Sequence, residues 1–239
     1  MPTMDVPGFR SLAQLGEFFV LPAAADASWM PISSLLSDAA AIRDFAYLTR
    51  AAIASSMGID PTEVSIKAAA SSVHLSIAAR LLSPVVGAAV CQHAVPLLVA
   101  DSVYWQRDSS HRPRLGVTRL DWVAVNSSEH AASLITDSLV GDVLRPLSEI
   151  MRSATGVSPQ VLWGNIASAA NGAVTVLSMS RPHDERRGRA LIASLLAVRP
   201  LSGAAEFVDG RFMRRNCCLY YRIPGGGYCG DCVLASAPG

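Results

Sequence analysis

The sequence predicts an α+β fold that is predominantly helical, with a small central β-sheet and a cysteine-rich loop at the C-terminus, and three observations carry that expectation. Alanine-rich segments of helical period, punctuated by cap residues, fill most of the first 95 residues and resume after residue 126. A middle stretch from Leu97 to Val125 turns instead to Val, Tyr, Trp and Thr, side chains that suit a pleated, half-buried surface. Four of the five cysteines fall within sixteen residues near the C-terminus.

Taken in order, the stripe Leu36, Ala39, Ile42 and Ala46 predicts a first helix that Gly58 closes. Asp60-Pro61-Thr62-Glu63 places a capping acid, a proline at the first helical position and a glutamate three residues on, so a second helix is expected from Pro61 to about Leu82, where Pro84 interferes. Leu97–Trp105 and Leu115–Val125, separated by a polar Arg-Asp-Ser-Ser-His-Arg-Pro segment, read as a strand pair. Helical period returns at Asn126-Ser127-Ser128-Glu129 with Pro146 expected to kink or split the element, and Gly156 to end it. Ser158-Pro159 opens a helix through Ala170, and a shorter one runs from about Asp184 to Val198. Short strands are expected around Glu206–Met213 and Leu219–Arg222. Two regions are expected to meet near residue 126: 1–125, helical with the strand pair, and 126–239, helical with the cysteine loop, one compact domain being the alternative.

Composition narrows the function. The 239 residues are 51% hydrophobic and 16% charged, ample for a core and far from the make-up of a disordered chain. A net charge of +1 does not predict phosphate neutralisation, so no nucleic-acid partner is expected. The cations are nineteen arginines and one lysine, and from Arg181 onward nine arginines face five acids, which makes the last quarter the cationic end. No uninterrupted apolar window reaches the roughly 18 residues of a membrane-spanning helix. The longest, Leu81–Cys91, contains Pro84 and reads as a buried core segment, so no transmembrane segment is expected. The apolar stretch Leu12–Ala25 is interrupted by Glu17 and reads as part of the mature protein rather than as a leader. That reading, with the crowded cysteines, points to the reducing cytoplasm, peripheral attachment to the inner face of the membrane being left open.

The cysteines carry the chemistry. Arg214-Arg215-Asn216-Cys217-Cys218-Leu219-Tyr220-Tyr221-Arg222 leads through Gly225-Gly226-Gly227-Tyr228 to Cys229-Gly230-Asp231-Cys232, a C-C-x10-C-x2-C spacing. Four thiolates form a full soft-ligand set for one tetrahedral zinc or for an iron–sulfur cluster. Only Cys229 and Cys232 have the spacing of a zinc knuckle. Adjacent Cys217 and Cys218 suit two neighbouring irons better than one ion, and on spacing alone iron–sulfur, structural zinc, and a disulfide or incidental thiols all stay open.

This segment resembles the iron–sulfur signature of the FhuF-type ferric-siderophore reductases, with Arg-Arg ahead of the cysteine pair, Leu-Tyr-Tyr-Arg after it and Cys-Gly-Asp-Cys at the end. Leu162-Trp163-Gly164-Asn165 with the small residues after it, and the His74–Cys91 region, resemble the same family more loosely. The resemblance implies a 2Fe-2S cluster held by Cys217, Cys218, Cys229 and Cys232, and one-electron reduction of Fe(III) in a siderophore, of hydroxamate type, to release Fe(II). With no G-x-G-x-x-G or Walker pattern, the electron donor is expected to be external. Candidate substrate or donor contacts are Arg214, Arg215, Tyr220, Tyr221, Arg222 and Trp163, each with a plainer reading as solvated face or packing. Cys91 reads as a buried thiol, His74 and His93 as satisfied helix residues, and His111 and His183 as exposed. The alternatives are a structural four-thiolate metal protein, a non-catalytic siderophore-binding module or an electron carrier.

Overall fold

The structure, a computed structural model, describes residues 7–108 and 110–236. After a one-turn start at α1 (Ile32–Leu36), Asp38 caps α2 (Ala39–Met57) by accepting the Ala40 and Ala41 amides, and Gly58 ends it at φ 65°. Asp60 and Glu63 form the capping box the sequence shows, yet the element they start lasts one 3-10 turn. Val64 then turns extended and buries itself, and α3 (Ile66–Cys91) begins behind Ser65.

Contrary to the sequence expectation, α3 continues through Pro84 to Cys91. The proline costs a hydrogen bond and a steric clash, about 3 kcal/mol, and burial of every residue from Leu81 to Val90 around it outweighs that. By length and composition α3 could cross a membrane, but 78% of its apolar window is buried against the rest of the chain. It reads as the central core helix.

The strands form three small antiparallel sheets. β1 (Met30–Pro31), β3 (Val103–Gln106) and β4 (Arg114–Val117) make one, with Val103 opposite Val117 and Gln106 opposite Arg114. β2 (Ala94–Pro96) pairs with β5 (Trp122–Ala124), and β6 (Ala205–Val208) with β7 (Arg211–Arg214). The predicted middle strand pair is thus present and shorter than its apolar runs, and the short strands expected around Glu206–Met213 form a hairpin turning at Asp209–Gly210.

From α4 (Ser128–Ile135) the chain stays helical to the end of α5 (Arg145–Thr155) through a π-helical stretch, Thr136–Leu144. The wider turn ends at the Arg145-Pro146 step, so Pro146 changes the helix type without breaking the rod. Ser158 caps α6 (Pro159–Ser180), and α7 (Glu185–Ala197) follows. The larger apolar core gathers side chains from Phe9 to Phe212, with α3 and α6 packed at its centre.

Candidate metal centre

The cysteine loop is pinned at both ends to β7 and along its length to α3 and α6. Arg214 donates its amide to the Asp231 carbonyl at 3.1 Å, and Arg211 reaches the Gly230 carbonyl at 3.1 Å, so the loop closes on the strand it leaves. Ser168 on α6 hydrogen-bonds the Asp231 carboxylate. Ser71 on α3 donates to the Cys218 carbonyl at 2.8 Å, and Ile223 buries itself against Ala54, Val64, Ala68 and Ala69 in a small second core. Gly226 is required by close approach: a Cβ there would strike the Tyr220 carbonyl. Leu219–Arg222, expected as a strand, is a left-handed residue (Leu219, φ 72°) followed by a 3-10 turn. That turn aims amides at sulfur, the Leu219 N–H at Cys217 Sγ (3.3 Å) and the Tyr220 N–H at Cys218.

The four thiols are free of disulfides. Cys218 and Cys232 are buried, and Cys217 and Cys229 are partly exposed. Cys218 Sγ and Cys229 Sγ lie 3.6 Å apart and share a hydrogen bond. That bond, helped by the Tyr220 amide and the Arg214 charge against burial, pulls the Cys218 thiol down to about 6, while the same bond and burial push Cys229 up. Burial also raises Cys217. Among the described residues no three His, Cys, Asp or Glu side chains already stand as a cage around one ion. The donor set nonetheless fits a soft metal group: two sulfurs on one tetrahedral metal with 2.3 Å bonds sit about 3.8 Å apart, close to the Cys218–Cys229 separation.

The remaining predicted residues divide. Arg214 is 1% exposed and cannot touch a docked substrate or donor, which corrects its place among the contact candidates. Its Nη2 donates to the Val161 carbonyl (3.2 Å), Asn165 Oδ1 (2.9 Å) and Asn216 Oδ1 (3.2 Å). Arg215 is exposed and paired with Glu206 at 2.8 Å. Tyr220 packs beside the second core. Tyr221 and Tyr228, 39% and 61% exposed, stack at 6.4 Å, and the Arg222 guanidinium lies 5.7 Å from the Tyr221 ring, giving the loop an exposed aromatic face. Trp163 is half-buried and lines a separate cavity with Arg145, Glu149 and Arg199. Away from the loop, Cys91 is half-buried with its Sγ 3.9 Å from Asp184. His93 lies just past the end of α3, exposed at φ 54°, and His74 is wholly buried with an unpartnered Nδ1, so neither is a satisfied helix histidine. His111 is half-buried rather than exposed.

Sequence reasoning missed Ser71, Asn165 and Asn216, the polar residues that tie α3 and α6 to the loop. Asn165 Nδ2 donates to the Ser71 carbonyl (2.9 Å) and hydroxyl (3.0 Å), and its Oδ1 receives Arg214. For Ser71 and Asn165 the signal was an uncharged polar side chain amid apolar helix positions, which only the folded contacts distinguish from a surface residue, and Asn216, in the segment after β7, gave none.

Residues 214–234 match the model of the FhuF 2Fe-2S C-terminal domain. A ferric siderophore reductase of Escherichia coli (strain K12) is similar to this chain, with 25% identity over 129 residues covering 47% of this chain and 47% of that protein. The chain is therefore matched to about half the length of that curated relative.

Proposed function

We propose that this chain, whose residues 214–234 match the FhuF 2Fe-2S C-terminal domain, is a ferric-siderophore reductase whose Cys217, Cys218, Cys229 and Cys232 hold a 2Fe-2S cluster. The observation that carries the proposal is the approach of Cys218 and Cys229 across the loop, their sulfurs 3.6 Å apart on a short segment that also holds the free thiols of Cys217 and Cys232. A bound 2Fe-2S cluster supplies a one-electron path from an external donor to Fe(III) in the chelate, and Fe(II), a softer ion, is held far more weakly by oxygen donors.

The chain's own groups prepare that site. The Leu219 and Tyr220 amides point at sulfur and favour added negative charge there. Ser71, Asn165 and Asp231 hold the loop against the two central helices, so its sulfurs keep their positions. Tyr221, Tyr228 and Arg222 offer an exposed face on the same loop, which suits a ferric chelate of hydroxamate type, and exposed Arg215 suits an acidic electron donor. Four unpaired thiols support action in the reducing cytoplasm.

The test is anaerobic purification followed by iron, sulfide and zinc analysis, with visible spectra before and after dithionite and a ferrous-trap assay on ferric hydroxamates. About two irons and two sulfides per chain, a red-brown colour that bleaches and accelerated Fe(II) release are expected. One zinc without colour overturns the reading, and a cluster that accelerates no release reduces the protein to an electron carrier.

A further inference from the structure

Arg214 is the largest fully buried side chain in the molecule's described part, and it is a cation. Its partners are all neutral: a main-chain carbonyl and two asparagine side-chain oxygens, which all meet the single nitrogen Nη2. Its Nε is buried with no hydrogen-bond partner. Among the described residues no carboxylate pairs with it; the six ion pairs involve Asp44, Asp184, Glu185 and Glu206 only. The carboxylate of Asp231, whose carbonyl takes the Arg214 amide, is turned to Ser168 instead. His74, fully buried and held neutral, supplies no compensating charge.

An isolated buried guanidinium is among the most costly arrangements a fold can hold, and natural structures pair such a charge. The chain nevertheless builds a cradle for this one. Gly164 on α6 has no side chain where a Cβ would come within 2.7 Å of Arg214 Nη2, and Asn165 and Asn216 both turn their oxygens to it. Arg214 sits three residues before Cys217, at the point where β7 gives way to the cysteine loop and where the loop's far end returns through Asp231.

We propose that Arg214 is the buried counter-charge of the metal group held by the four cysteines, and that it sets how readily that group takes an electron. The inference rests on the iron–sulfur reading above. Two ferric ions, two sulfides and four thiolates sum to a charge of −2, which becomes −3 on one-electron reduction. A fixed cation at the edge of the site is attracted more strongly to the second state than to the first, so it makes reduction easier. Because the guanidinium is shielded from solvent, this effect is insensitive to ionic strength, unlike that of exposed Arg215. Arg214 touches no substrate; it is a positioning residue that acts through the loop's charge.

The experiment is a spectroscopic redox titration of the purified wild-type, Arg214→Gln, Arg214→Lys and Arg215→Gln proteins at low and high salt. Arg214→Gln is expected to lower the equilibrium constant for one-electron reduction at least tenfold, a midpoint about 59 mV more negative, equally at both salt levels. Lysine should recover part of the shift, and Arg215→Gln should move little, and only at low salt. A wild-type potential in Arg214→Gln with its cluster retained overturns the proposal. Should Arg214→Gln assemble no cluster, Arg214→Lys decides: loading restored by lysine ties the site to charge, and loading lost in both assigns Arg214 a role of shape alone and overturns the proposal. Wild-type protein without iron and sulfide sinks the iron–sulfur reading itself, a result distinct from all of these.

Discussion

His74 lies on α3 with no exposed surface, and its ring is committed to one tautomer. Ser148 Oγ gives its proton to the Leu144 carbonyl at 2.7 Å, so it must accept from His74 Nε2 at 3.1 Å. That leaves Nδ1 as a buried acceptor without a partner, in the same interior as the unpartnered donor Arg214 Nε. Burial, and then the Arg214 charge, lower the histidine to about 3. The sign follows from proton counting: between about 3 and 6.5 the unfolded chain binds one proton more than the folded one, so the histidine's contribution is complete above pH 6.5 and is lost as pH falls. From pH 6.5 to 5 the wild type should lose about 2 kcal/mol more stability than His74→Gln. Melting curves across that range check it, and parallel pH profiles for the two proteins would contradict it.

The joint between α6 and the β7–loop corner is where element geometry controls the site. A methyl group at Gly164 would fall on Asn216 Oδ1 and within 2.7 Å of Arg214 Nη2, both fixed by hydrogen bonds rather than free to swing. Gly164→Ala should therefore cost about 1–3 kcal/mol and reduce iron loading, read from the melting temperature and the iron content of the purified protein. Unchanged values in both would mean that the corner can give way. This joint also marks how far the sequence could be read. The caps at Asp60, Gly58, Ser158 and Gly156 announce their turns because each satisfies local backbone groups, and such chemistry is legible from a few adjacent residues. The span of α3 through Pro84, the π-helical stretch before Pro146 and the one-turn length of Pro61–Glu63 depend on what packs around them, which no local window contains. The C-C-x10-C-x2-C spacing, within the matched segment 214–234, is legible for the same local reason. Asn165, Ser71 and the burial of Arg214 were not, since they are relations between α3, α6 and β7 made only in the fold.

At the scale of the whole molecule, the main apolar core includes none of the four loop cysteines. It gathers side chains from Phe9 to Phe212, while the loop contributes chiefly Ile223 to a second, smaller cluster. Leu219 packs against both clusters and Tyr220 against the second, and the loop's polar ties are Ser71 to the Cys218 carbonyl, Ser168 to Asp231 and the strand contacts at Arg211 and Arg214. Binding energy at the cysteines should therefore stabilise the loop locally rather than fold the chain, in contrast to small domains that exist only with their metal. Removing the bound metal group with chelator and oxidant should leave the far-UV circular dichroism near its starting value and lower the melting temperature by about 2–4 °C for each kcal/mol of binding lost. Limited proteolysis should then open the chain first within Pro224–Tyr228, a turn whose residues are mostly exposed. The sulfur ligands would lose their shared geometry while α3 and α6 stay packed. Collapse of the helical signal on metal removal would show instead that the core and the cysteine site fold as one cooperative unit.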